Sequence, residues 1–245
     1  MLAKDPIKLE YKMNKGEEYV YQITLDSEQR IEVEGKPQEV KDHLIMKMLQ
    51  RVVDVNKDGS YNLEMVVEPQ QLVRNGENMP MQGGEQRVTM KMNKNGEILE
   101  TSMPSPASQP SFPTKPLVVG EKWTGESKIN LGKPEPAILK FNYLLWGVEQ
   151  TKGYECAIIQ VNSPETEIPL DGGNMQKISA NGTTFFAHQE GRLVKSEVNT
   201  KIFMEAPQGK LSNIIKILVA LTDAPKAKTS PSAILGGPPD DFIIR

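Results

Sequence analysis

The chain echoes itself at a nearly constant distance, and this limits the folds open to it more than any other feature. Gly16-Glu17-Glu18-Tyr19 returns as Gly120-Glu121-Lys122-Trp123, and Gly35-Lys36-Pro37 returns as Gly132-Lys133-Pro134. Met46 to Glu68 lies over Lys140 to Asn162 without gaps, which sets Gly59 on Gly153. Val88 to Glu100 lies over Thr183 to Lys195, which sets Gly96 on Gly191. The four glycine pairs are 104, 97, 94 and 95 residues apart and keep their order along the chain. Generic turns can imitate one such match; four in order point to a duplicated unit.

Each unit reads as strands. Glu18 to Arg30 alternates in part, through Tyr19, Tyr21, Ile23 and Leu25, the period of a half-buried strand. Asp58-Gly59 separates two apolar runs and supplies the positive φ that a tight hairpin turn needs. Asn95-Gly96, Lys152-Gly153 and Glu190-Gly191 punctuate the chain in the same way. The expected fold is therefore mostly β, with duplicated antiparallel meanders forming a barrel, a half-barrel or two packed sheets. Residues 1–103 form the first repeat and 117–205 the second. Residues 104–116 between them are a proline-rich linker or extended crossover. In 206–223, Leu211, Ile214, Ile215, Leu218 and Val219 follow the spacing of one helical face, which predicts a single C-terminal helix. Residues 224–245, rich in proline, glycine and lysine, read as a flexible tail with a sticky tip.

The composition excludes several functions. A net charge of -3 offers no basic footprint, so nucleic acid is not an expected partner. No apolar run reaches the ~18 residues of a transmembrane segment. Cys156 is the one cysteine, so no internal disulfide forms. Met1 to Pro6 has no apolar core of a signal peptide, so an exported form is expected to have lost its signal.

Lys15-Gly16-Glu17-Glu18-Tyr19-Val20-Tyr21, the Asp58-Gly59 hairpin and Leu117-Val118-Val119-Gly120-Glu121-Lys122-Trp123 carry a resemblance. Over most of residues 8 to 204 the chain resembles a broad group of bacterial exported or lipoprotein-like β proteins, domains of unknown function. The resemblance implies an extracytoplasmic location, in the periplasm or cell envelope. It brings no catalytic residues with it.

Asp54-Val55-Asn56-Lys57-Asp58-Gly59 opens like a calcium loop, with Asp54, Asn56 and Asp58 as oxygen ligands. The closing glutamate position holds Met65, so a polar hairpin turn is the expected role. Among 12 methionines, Met79 and Met81 flank a proline in a glycine-rich loop and are the least core-like pair for Cu(I); gap filling is the commoner use of methionine. His43, His188 and Cys156 lack zinc-ligand spacing, and Cys156 falls in the apolar set of a strand. Asn181-Gly182-Thr183 is a glycosylation sequon, relevant only to a secreted eukaryotic protein. No cofactor and no enzymatic constellation is expected.

Three functions remain, the last of them an undetected hydrolase, which would need a cluster of polar side chains in a cleft that the sequence does not assemble. In the first, a non-enzymatic envelope protein holds an apolar ligand in a β cup. In the second, Phe242, Ile243 and Ile244 at the tip of the tail add as a strand to another subunit, giving an assembly or a homo-oligomer.

Overall fold

The structure is a computed structural model that describes residues 5–33, 35–81, 83–102, 110–129, 137–170, 174–206 and 209–223. Its strands are β1 (Glu18–Val33), β2 (Lys36–Val55), β3 (Tyr61–Arg74), β4 (Glu77–Asn78), β5 (Gln86–Met92) and β6 (Ile98–Thr101), followed by β7 (Lys122–Ile129), β8 (Ala137–Thr151), β9 (Tyr154–Pro169), β10 (Met175–Ala187), β11 (Arg192–Ala206) and β12 (Gly209–Asp223). All belong to one antiparallel sheet of 12 strands, in the order β6-β5-β3-β2-β1-β12-β11-β10-β9-β8-β7, with the short β4 on β3. The path does not close: β6 and β7 are its edges. The expected mostly β class holds, and the sheet is an open one, neither a closed barrel nor two sheets.

The C-terminal helix is corrected. Gly209–Asp223 is strand β12, held between β1 and β11. The same segment carries a second pattern, in which Ile215, Ile217, Val219 and Leu221 alternate toward one face. Its β-branched residues suit a pleated surface, and two ready-made neighbours satisfy the backbone on both sides. With both faces of the segment partly apolar, local periodicity did not decide between the two.

Strands β1, β2, β3, β5 and β6, and strands β7 to β11, run in the same meander order, with β12 between the two sets. Each set begins on the same turn. In the first, Glu17 N–H bonds to Asn14 O at 3.1 Å and the Glu17 carboxylate accepts from Asn14 N–H at 2.9 Å. In the second, Glu121 N–H bonds to Val118 O at 3.0 Å and its carboxylate accepts from Val118 N–H at 2.8 Å.

Strand β1 shows how composition sets the faces. Tyr19 and Tyr21 are buried and Ile23 and Leu25 half-buried, while Glu18, Gln22, Asp26 and Glu28 are exposed. The inner faces of both sets contribute to one core, from Leu63 and Met92 to Phe141 and Leu145. This core is densest at the end of the sheet where the Asp58-Gly59, Asn95-Gly96, Lys152-Gly153 and Glu190-Gly191 turns lie.

Two non-strand segments close that end. Ile7, Leu9, Tyr11 and Met13 are buried, as are Phe112 within the proline-rich linker and Leu117 just after it. Ile7 and Leu117 pair through backbone bonds of 2.7 and 2.8 Å. Tyr11 N–H reaches Lys94 O at 2.7 Å and Lys12 N–H reaches Gly191 O at 2.9 Å. A single dipeptide thus ties the β5–β6 turn to the β10–β11 turn, which are far apart along the sheet, so the sheet must curl around. Tyr11, Phe112 and Phe186 pack together, with ring centroids 4.7 to 5.5 Å apart.

Candidate functional site

The curl leaves an inner face that is filled at one end and incompletely covered at the other. Leu72, Leu44, Leu25, Ile217 and Val198 stand directly opposite one another across β3, β2, β1, β12 and β11. All five are only half-buried. Further from the plugged end, Ile31, Leu211 and Met204 form a second apolar row across β1, β12 and β11, again half-buried. Between the rows Ser27, Gln29 and Asn213 interrupt an apolar surface that Ile215, Ile202 and Ile178 continue, and the Ser27 hydroxyl donates to Asn213 Oδ1 at 3.0 Å. The strand geometry explains the extent of this face. At ~3.3 Å per residue, β1 from Leu25 to Val33 spans roughly 26 Å of this face, while across it Ile178 of β10 and Ile168 of β9 are buried members of the core.

The first apolar row continues through Gly182 of β10 to Val161, Tyr143 and Trp123. Trp123 stacks on Tyr143 with centroids 5.2 Å apart, and its ring N–H donates to Ser111 O at 2.8 Å. Burial, opposed only in part by hydrogen bonding at Ser111, pushes the Tyr143 phenol up to about 12. These rings wall one side of the curl and stay neutral at physiological pH.

The residues singled out in the sequence lie as follows. Asp54, Asn56 and Asp58 share the β2–β3 hairpin. Asp54 pairs with Lys15 at 3.0 Å, and that contact lowers its pKa. Asp58 accepts from the Ser60 hydroxyl at 2.7 Å and the Ser60 N–H at 2.9 Å, bonds that also lower its pKa. The Asn56 amide donates to Ser60 Oγ at 2.9 Å. Met79 and Met81 are each 37% exposed, clear of the core.

His43 lies on the outer face of β2, 2.6 Å from Asp26, while His188 sits 3.0 Å from Glu155 in the other half. Cys156 is buried, and burial, with Glu190 and Glu149 nearby, pushes its thiol up to about 11. Among the described residues no three His, Cys, Asp or Glu side chains gather as a metal would require. The described residues contain no helix long and apolar enough to cross a membrane. Phe242, Ile243 and Ile244 lie outside the described residues, as do residues 132–134 of the second Gly-Lys-Pro.

The incompletely covered rows were not found from the sequence. Their members alternate within each strand, but which residues stand opposite one another depends on register. The plugging segment was more visible, since Ile7, Leu9, Tyr11 and Met13 alternate in plain sight.

No protein-family model and no curated protein matches the chain. Among solved structures, one titled "Lipid-protein interactions in lipovitellin" is similar at a TM-score of 0.48 and 10% identity, over 89% of this chain. The chain spans 27% of that protein's length. DynF from the dynemicin biosynthesis pathway of Micromonospora chersina is similar at a TM-score of 0.23 and 8% identity, over 90% of this chain and 87% of that one.

Proposed function

We propose that this chain is a non-enzymatic binding protein of the cell envelope. It holds an elongated, mainly apolar ligand of the acyl-chain class along the inner face of its open sheet. One observation carries the reading: the row Leu72, Leu44, Leu25, Ile217 and Val198 stays half-exposed on a face whose other end is fully packed. A contiguous apolar surface left partly open marks a binding site more often than a packing fault. The polar pair of Ser27 and Asn213 would meet the polar end of such a ligand. The two meanders are copies of one unit in this reading; their common strand order and common opening turn support it. Export rests on the sequence resemblance.

The test is direct. The purified chain is stripped of lipid and titrated with a fluorescent long-chain fatty acid, and native mass spectrometry counts the bound molecules. Saturable binding is expected, and Leu44→Glu should weaken it roughly ten-fold or more, because it places a charge amid the apolar row. Absence of saturable binding, or a Leu44→Glu protein that binds unchanged, would refute the reading.

A further inference from the structure

The outer face of β8 to β11 carries a row of like side chains that the inner trough does not use. Asn142, Asn162, Asn181 and Asn199 stand directly opposite one another on four adjacent strands. The first three are exposed and Asn199 is half-buried. Among the described residues, none of the four amides takes part in a hydrogen bond within the chain. All four line an open groove of about 1010 Å³, with Gln160 and Thr183 in the neighbouring row; Trp123, Tyr143, Val161 and Gly182, which alternate with them along the strands, also border it. The charged side chains that line it are one of each sign, Lys122 and Glu197.

We propose that this groove binds a neutral oligosaccharide lying across the strands, so that successive sugars meet successive asparagines. The chemistry of the row selects the ligand class. A carboxamide offers two N–H donors and a carbonyl acceptor, the complement of a sugar hydroxyl, which donates and accepts. Four such groups in a line repeat that offer once per strand, at the ~4.8 Å spacing of a sheet, comparable with the length of one pyranose residue.

A polyanion would find no basic stripe here, since Lys122 is offset by Glu197. An apolar ligand would have to strip water from amides that it cannot pair.

The experiment uses the full chain made in a bacterial host, so that Asn181, which heads an Asn-Gly-Thr sequence, carries no attached glycan. Cellohexaose, maltohexaose and chitohexaose are titrated by calorimetry, each against its disaccharide. At least one hexasaccharide should bind saturably and more tightly than its disaccharide. The paired change Asn162→Asp with Asn181→Asp keeps side-chain size but removes the donors, and should weaken that binding roughly ten-fold or more. Leu44→Glu, on the inner face, should leave it unchanged, which separates this site from the acyl-chain reading. Circular dichroism checks that each variant keeps its sheet. The proposal is overturned if none of the three hexasaccharides binds at millimolar concentration, or if the paired asparagine variant, folded, binds as the parent does.

Discussion

The Tyr19 hydroxyl donates to the Glu17 carboxylate at 2.6 Å, two residues away along the chain. The same carboxylate also accepts from the Asn14 backbone N–H at 2.9 Å and the Asn14 side chain at 2.8 Å. It therefore holds together the turn that launches the first meander, just where buried Tyr19 enters the core. Burial alone would raise the Glu17 pKa. The hydrogen bonds from Tyr19 and Asn14, aided by the Arg192 charge, outweigh burial and hold it below the ordinary carboxylate value.

A carboxyl whose folded-state pKa is depressed stabilises the fold above its unfolded value, near ~4.3, and loses that contribution as pH falls through the folded value. Glu17→Gln should thus cost about 1–2 kcal/mol at pH 7, the worth of hydrogen bonds to a charged acceptor. The gap between mutant and parent should shrink as the pH drops below ~4. Urea unfolding midpoints at neutral and acid pH measure both. An equal gap at the two pH values would show that the charge of Glu17 is not what stabilises the turn.

Much of this fold was legible because its signals are local. The Asp58-Gly59 and Asn95-Gly96 turns, and the alternation through Tyr19 and Tyr21, depend on neighbours in sequence, and the strands stand where those signals put them. Strand β12 carries a helical spacing of its own, and its identity depends on β1 and β11, which the segment itself does not announce. The asparagine row was not legible at all. Its members are 20, 19 and 18 residues apart, spacings set by hairpin length and bulges rather than by any motif. Only the register of three strand pairs aligns them.

Cys156 offers a test of the packing where β9 meets β10. It is buried opposite Ala187, with a thiol pushed up to about 11. At pH 8 roughly one thiol in a thousand is then ionised, and the thiolate is the reactive form. A disulfide reagent should label native protein very slowly and label urea-unfolded protein at once. Prompt labelling of the native chain would mean that this strand pair opens readily.

Gly153 and Gly191 separate two costs that a turn glycine can carry. Both have positive φ, 82° and 66°. A Cβ on Gly153 would meet nothing within 4 Å, whereas one on Gly191 would run into the Lys12 backbone nitrogen of the plugging segment. Gly153→Ala should cost about 1 kcal/mol, the penalty for a left-handed alanine. Gly191→Ala should cost about 2–4 kcal/mol, because it also displaces the segment. Denaturant melts of the two variants give the comparison. Equal losses would mean that residues 7–13 yield freely and do not brace the closed end.

Tyr11 and Tyr61 form the most demanding pair, since the two hydroxyls predict effects of opposite sign. The Tyr61 hydroxyl donates to Tyr11 O at 2.8 Å, a buried bond that pins the plugging segment to β3. The Tyr11 hydroxyl is buried and, among the described residues, has no hydrogen-bond partner. Burial, reinforced by Tyr21 and Tyr143, drives its pKa far above the ordinary phenol value, so it stays neutral throughout the accessible pH range. Tyr61→Phe leaves the Tyr11 carbonyl unpaired and should cost about 1–2 kcal/mol. Tyr11→Phe removes an oxygen whose desolvation nothing offsets, and should be neutral or stabilising by up to about 1 kcal/mol. The ring stays in place in both variants, so the contacts of Tyr11 with Phe112 and Phe186 are kept and the difference isolates the hydroxyls. Thermal and urea unfolding of the two single variants decide it. A Tyr11→Phe protein that loses as much stability as Tyr61→Phe would mean that the Tyr11 hydroxyl is paired in solution and that the closed end is wetter than its packing implies.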